Sequence, residues 1–349
     1  MRSVRRLGLL VAMVIGASGV AYAQTTPDPA QTQTTTAVNE GRVTFGVLAY
    51  LQYAVELHEQ DGYNAFEVTR GYFDVKARLS DRVRVRFTTN VRPTTDANLE
   101  ANLTARLEYA YLDAAVTDRT SILFGMQETP WLTFEESVNR YRVQGQMFTE
   151  REGLIPGPSD LGAAAVYKTR RLEAHLGVYN GEGYGRAEID KYKSVQGRGT
   201  GTLYSSESGQ SKVRLSGFYS YGWYAKDRPR NIGIVMASYD SPHVVATAQY
   251  FSATDNPFVV TDVERQGMSF FGEARMGVTG WAGLGRVDLF NPDASREGDD
   301  MRRYIVGGAH WSQLPHGRLG FVATLEQVFR ASNGQKTESR LLVQTQVEF

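Results

Sequence analysis

Apolar and polar residues alternate with period 2 along most of the chain. Val43, Phe45, Val47, Ala49, Leu51, Tyr53, Val55 and Leu57 fall on one face, with Thr44, Gly46, Gln52 and Glu56 on the other. This predicts a strand over 43–57. It is about three times the usual strand length of soluble sheets and suits a tilted strand that crosses a bilayer. The next two segments alternate more strictly. Gly71, Phe73, Val75, Ala77 and Leu79 alternate with Arg70, Tyr72, Asp74, Lys76 and Arg78. Val83, Val85, Phe87, Thr89 and Val91 then alternate with Arg82, Arg84, Arg86, Thr88, Asn90 and Arg92. All those arginines share one face. Facing lipid would cost about 2–4 kcal/mol for each one near the midplane, so the face must meet water.

Further strands are predicted near 103–116, 120–127, 159–168, 171–180, 195–205, 211–221, 231–240, 243–252, 267–277, 280–289, 301–313, 317–330 and 337–349. With the first three this makes about sixteen. Their links alternate in kind. Short ones (Ser80-Asp81, Thr117-Asp118-Arg119, Thr169-Arg170, Ser241-Pro242, Val278-Thr279) take every second place. Longer polar ones, near 93–102, 128–158, 181–194, 222–230, 253–266 and 290–300, take the others. Sorting of link lengths by side is the mark of a transmembrane barrel. A soluble sandwich has no reason to do it. The expected fold class is therefore all-β, a transmembrane antiparallel β-barrel.

One stretch breaks the alternation. From Glu128 to Pro158 there is neither period 2 nor a sustained helical period. An excursion of this length between short strands is uncommon and usually functional. In a barrel the natural place for this third loop is the lumen.

Composition narrows the reading. The 349 residues carry a net charge of +0 and no cysteine, so neither a basic field for nucleic acid nor thiolate chemistry is expected. Glycine (35) and tyrosine (19) are abundant, as turns and amphipathic aromatics in a barrel require. Arg2, Arg5 and Arg6 precede an apolar run from Leu7 to Val14, and Ala21-Tyr22-Ala23 follows as a small-x-small site. These features predict a cleaved secretory signal peptide over 1–23, then a polar leader over 24–41 and a barrel domain over 42–349. Without the signal segment the count is 35 bases against 38 acids, or −3.

Two short motifs bracket the long loop: Gly125-Met126-Gln127-Glu128-Thr129-Pro130-Trp131 before it and Pro156-Gly157-Pro158-Ser159-Asp160-Leu161-Gly162 after it. Together with Ala110-Tyr111-Leu112, Tyr179-Asn180-Gly181-Glu182-Gly183 and Lys193-Ser194-Val195-Gln196-Gly197-Arg198, they resemble ordered elements of the phosphate-selective porin O and P family. The frame matches, but Glu128 stands where the family usually has Lys, and Pro158 where it has Arg. The resemblance implies an outer-membrane channel for small hydrophilic solutes or ions, phosphate or other anions among them, and a homotrimer.

The basic wall residues expected to line the pore are Arg70, Arg78, Arg82, Arg84, Arg86, Arg106 and Arg214. The expected constriction-loop residues are Glu128, Glu135, Glu136, Arg140, Arg142 and Arg151. Counting Glu150, Glu152 and Asp160 with them gives the loop three bases and six acids, or −3. Charges at the narrowest point dominate those on a wide wall, so weak selectivity is expected. Phe349, aromatic and last on an amphipathic strand, reads as an assembly signal for the barrel-assembly machinery.

Catalytic, cofactor and metal sites are not expected. His310 and Ser312 share a strand face but lack an orienting partner nearby in sequence, and the acidic pairs Glu135-Glu136 and Asp299-Asp300 read as solvated. Tyr50, Tyr53, Tyr109, Tyr111, Trp223, Tyr224, Trp281 and Trp311 are expected to form interfacial girdles. The alternative function is a plugged or narrow barrel that serves as a scaffold or surface binder in outer-membrane lipid.

Overall fold

In a computed structural model of the chain, the described residues are 42–349, apart from 59–61, 95–101, 189–190, 226–227, 257–261 and 332–336. The signal peptide expected over 1–23 and the leader over 24–41 lie outside them.

Sixteen strands form: β1 (Val43–Glu56), β2 (Asn64–Arg78), β3 (Val83–Pro93), β4 (Leu103–Thr117), β5 (Thr120–Glu128), β6 (Ser159–Lys168), β7 (Leu172–Tyr179) and β8 (Ser194–Ser205) make the first half. β9 (Lys212–Ala225), β10 (Arg228–Asp240), β11 (Val244–Asp255), β12 (Val263–Arg275), β13 (Gly280–Asn291), β14 (Met301–Leu314), β15 (Gly317–Arg330) and β16 (Thr337–Glu348) make the second. Each strand pairs antiparallel with its neighbours in sequence. β16 returns to β1, with Tyr50 opposite Gln346 and Glu56 opposite Arg340, so the sheet closes. Closure satisfies every strand edge, which an open sheet in lipid could not do.

Alternation decides which face turns inward. On β3, Phe87 is half exposed while Arg86, Thr88 and Asn90 are buried; on β16, Leu341 and Val343 are exposed while Leu342, Gln344 and Gln346 are buried. The outward face carries large apolar side chains such as Phe66, Phe73, Phe124, Leu176, Tyr219, Trp281 and Phe321.

Three local expectations are corrected. The segment after β5 is not irregular: it forms α1 (Leu132–Val138), a 3-10 turn at Tyr141–Gln144, and one helical turn, α2 (Phe148–Arg151). Trp131, Phe134 and Val138 make an apolar stripe only two turns long, too short to register as a period. A helix this short is marginal alone and depends on packing. Second, the long link expected over 222–230 is nearly absent, because β9 continues to Ala225 and β10 begins at Arg228. Third, several supposed girdle aromatics face inward. Tyr50, Tyr109 and Trp311 are almost fully buried, whereas Trp281 is 65% exposed on the outward face. Aromaticity says nothing about side; strand phase does.

Candidate functional site in the barrel interior

The segment between β5 and β6 packs against inward-facing side chains from both halves of the wall. Its start is fixed by Thr129, whose N–H donates to Pro158 O at 2.8 Å, and by Arg198 of β8, whose Nε donates to Pro130 O at 2.8 Å. From there Trp131, Leu132, Phe134, Val138, Tyr141, Val143, Met147, Phe148, Leu154 and Ile155 bury their side chains. They join one cluster with Phe218 of β9, Ile232, Ile234 and Met236 of β10, Phe251 of β11, Phe271 of β12, Leu284 of β13, Ile305 and Trp311 of β14, and Val322 and Val328 of β15. Each such side chain contributes about 1.5–3 kcal/mol by leaving water. Gly267 of β12 makes room for this packing: a Cβ there would lie 2.7 Å from Phe148 Cζ.

Charged clamps surround the apolar contact. Arg140 pairs with Glu273 and sends Nη1 to Val278 O at 2.8 Å. Arg151 Nη1 reaches both oxygens of Glu326, at 2.9 and 3.0 Å. Glu152 Oε1 accepts from Arg303 Nη1 at 2.8 Å, and Arg303 also meets Asp288 at 3.2 Å. Arg142 grips Glu150 with two nitrogens, one at 2.8 Å, and its Nε stands 3.0 Å from Glu136. Arg70 of β2 reaches the same Glu150 at 3.3 Å. Gln344 of β16 donates to Val143 O at 2.7 Å.

The inward face of β2–β4 is built differently. Arg86 lies between Asp74 and Glu128, 2.8 Å from each, with its guanidinium 4.1 Å from the centre of the Tyr109 ring. Asn90 donates to Glu108. Between this wall and the 3-10 turn lies a cavity of about 380 Å³, lined by Arg70, Arg92, Arg106, Arg142 and polar neighbours.

The expected site residues divide accordingly. Arg70, Arg86 and Arg106 lie on the inward face, Arg70 and Arg106 lining the cavity. Arg78, Arg82 and Arg84 share the inward phase but stand at the short-turn end, where Arg78 meets Asp81 at 2.9 Å and Arg84 meets Asp113 at 2.8 Å. Arg214 faces Asp240 at 4.0 Å. Glu128 is not on the excursion: it is the last residue of β5, opposite Ser159, and Asp160 belongs to β6. The stretch 129–158 therefore holds Glu135, Glu136, Glu150 and Glu152 against Arg140, Arg142 and Arg151, a charge of −1 rather than −3. Glu135 is buried, with Trp131 Nε1 donating to it at 3.0 Å. Phe349 is half exposed, and its N–H donates to Val47 O at 3.0 Å. Among the described residues no three His, Cys, Asp or Glu side chains converge as a metal site needs.

The wall half of the apolar contact was not foreseen. Its signal is present in β10, where Ile232-Gly233-Ile234-Val235-Met236-Ala237 is apolar on both faces. A strand apolar on both faces has protein, not water, on its inner side.

No family model matches the chain, and no curated protein matches it. Solved structures do. An anion-selective porin from Comamonas acidovorans aligns with a TM-score of 0.64 at 12% identity, over 88% of this chain and 99% of that one. The outer-membrane protein OmpT of Vibrio cholerae aligns at 0.61 and 10% identity, over 89% and 99%. OmpF of Salmonella typhi aligns at 0.61 and 13% identity, over 88% and 97%. At these identities the likeness is one of fold: a closed barrel of the porin type.

Proposed function

We propose that the chain is an outer-membrane porin, a water-filled channel through which small hydrophilic solutes and ions diffuse passively. The observation that carries this reading is the closed sixteen-strand barrel with an apolar outer face and a charged inner one. Barrels of this size leave an aqueous lumen. The fold shared with an anion-selective porin supports it further. In this reading the signal peptide delivers the chain to the periplasm, Phe349 marks it for the assembly machinery, and three copies associate, as in the trimer form of a structural neighbour.

The segment 129–158 constricts the lumen and leaves a passage along β1–β4. Its acids other than Glu135 are engaged by arginines, so its field is small. We expect weak selectivity with a slight preference for anions and no tight phosphate site. The test is single-channel conductance of the purified protein, with reversal potential in a potassium chloride gradient and a phosphate titration. Ohmic current with a small anion-directed potential is expected. Block by micromolar phosphate would sink the weak-selectivity reading.

The extent of apolar packing around the segment favours a second reading, a plugged barrel used as a scaffold. Such a barrel passes almost no current.

A further inference from the structure

The cavity beside β1–β4 has two ends of different charge. At one end, Arg70 and Arg142 are offset by Glu150 and Glu136, two bases against two acids. At the other end stand Arg92 and Arg106, near the long-link ends of β3 and β4. Among the described residues no carboxylate pairs with either. Arg106 Nη1 donates to Gly185 O at 3.0 Å, and Arg92 Nη1 donates to the Tyr184 hydroxyl at 3.4 Å. The two guanidiniums are close together: a Cβ built on Gly185 would lie 3.1 Å from Arg106 Nη1 and 3.7 Å from Arg92 Nη2. Glu108, on the same wall, accepts from Asn90 and makes no ion pair with either arginine among the described residues.

Two like charges held this close repel unless an anion bridges them, and paired guanidinium forks match the geometry of a carboxylate. Apart from the four arginines the lining is uncharged and mostly polar, with Tyr50, Pro93 and Val143 as its apolar members. It includes Gln52 and Gln344 and contains no acid. The volume, about 380 Å³, falls in the range of small-molecule sites.

We propose that this cavity is a binding site for a monocarboxylate on a neutral, hydroxyl-rich body, the chemistry of a sugar acid. The carboxylate sits between Arg92 and Arg106, and the hydroxyls meet the polar side chains of Gln52, Thr69, Gln144 and Gln146. Inorganic phosphate is a poorer match, because it has no hydroxyl-bearing body to reach Gln52, Thr69, Gln144 and Gln146 along the rest of the lining. This inference names a substrate class for the channel proposed above, and rests on that reading only for transport, not for binding.

The experiment is titration calorimetry on the full-length barrel folded in detergent, with gluconate, glucose, acetate and inorganic phosphate as probes. Heat-modifiable gel migration checks the fold of every variant. Gluconate is expected to bind at least about tenfold more tightly than glucose, acetate or phosphate. Arg92→Gln and Arg106→Gln should each weaken it about tenfold or more, the scale of one charge-assisted hydrogen bond. Arg84→Gln, at the other end of the wall, should leave it unchanged. If one of the two cavity variants does not fold, the other carries the test. Acetate or phosphate binding as tightly as gluconate overturns the proposal, as does gluconate binding indifferent to both cavity variants. Conductance in potassium chloride separates the two readings. Current without gluconate binding overturns this inference alone. Gluconate binding without current overturns the channel and leaves the site.

Discussion

The inward faces of β2–β4 and of β10–β15 belong to one barrel and meet opposite needs. On β3 the inward positions are Arg84, Arg86, Thr88, Asn90 and Arg92; on β10 they are Ile232, Ile234, Met236 and Ser238. The first wall is charged and polar beside a cavity: Arg86 pairs with Asp74 and Glu128, Asn90 donates to Glu108, and Arg92 and Arg106 have only neutral partners among the described residues. The second buries apolar side chains under Trp131, Phe148 and their neighbours. A lumen-facing position is thus decided by its contact, water or protein, and not by the barrel. The packed wall is occupied by the segment, so in the channel proposed above the open path runs along the charged one.

The comparison is broken most directly by Gly267→Leu. Overpacking a filled interior costs about 1–3 kcal/mol, and the new side chain meets Phe251 of the wall and the Leu289 carbonyl as well as the Phe148 ring of the segment. The barrel should still assemble, single-channel conductance should at least double, and trypsin should cut at Arg142 or Arg151. Unchanged conductance with an intact barrel means that the apolar contact does not hold the segment.

Glu326→Gln acts on the clamps of the same wall. It leaves Arg151 without its carboxylate and Arg303 with one fewer neighbour, 3.7 Å away. Breaking a buried pair costs about 3–5 kcal/mol in a dry interior and less where lumen water reaches. Open-channel noise and anion permeability should both rise, with a smaller gain in conductance than Gly267→Leu gives. A quiet channel with wild-type selectivity counts against the clamp.

On the charged wall, Glu128→Gln should leave conductance as it is and move the reversal potential a few millivolts toward anions. Arg86 then keeps only Asp74 as a carboxylate partner, beside Thr88 and the Tyr109 ring, and the segment loses no contact. A large conductance change there would mean that the two walls are coupled. Smallest of all is Glu135→Gln. Its carboxylate faces the Trp131 indole inside the packed half, so a reversal-potential measurement should not separate it from the parent. A clear shift toward anions would place Glu135 in the water path instead.

Much of this contrast was legible in advance. The strict alternation of 82–92 set the inward arginines, and β6 and β15 were predicted to the residue. The segment's helices were missed because two-turn stripes give no sustained period. The charge count at the constriction exceeds the structure's because Glu128 ends β5 rather than opening the loop, and because Asp160, inside the strand predicted over 159–168, is counted with it. Trp311 and Tyr50 were placed at an interface because residue type, rather than strand phase, was used to place them.

Period 2, link lengths and chain order determine the barrel, its strand count and which side of each strand turns inward, because these depend only on neighbours in sequence and on the cost of unpaired backbone in lipid. They do not determine which inward residues meet which. Arg151 and Glu326, or Phe148 and Gly267, lie more than a hundred positions apart, and Gly185 is brought from beyond β7 against Arg92 and Arg106. Those contacts arise only when the closed sheet and the folded segment are superposed. Whether a charge is spent in a pair or left with only neutral partners is therefore a property of the tertiary structure alone.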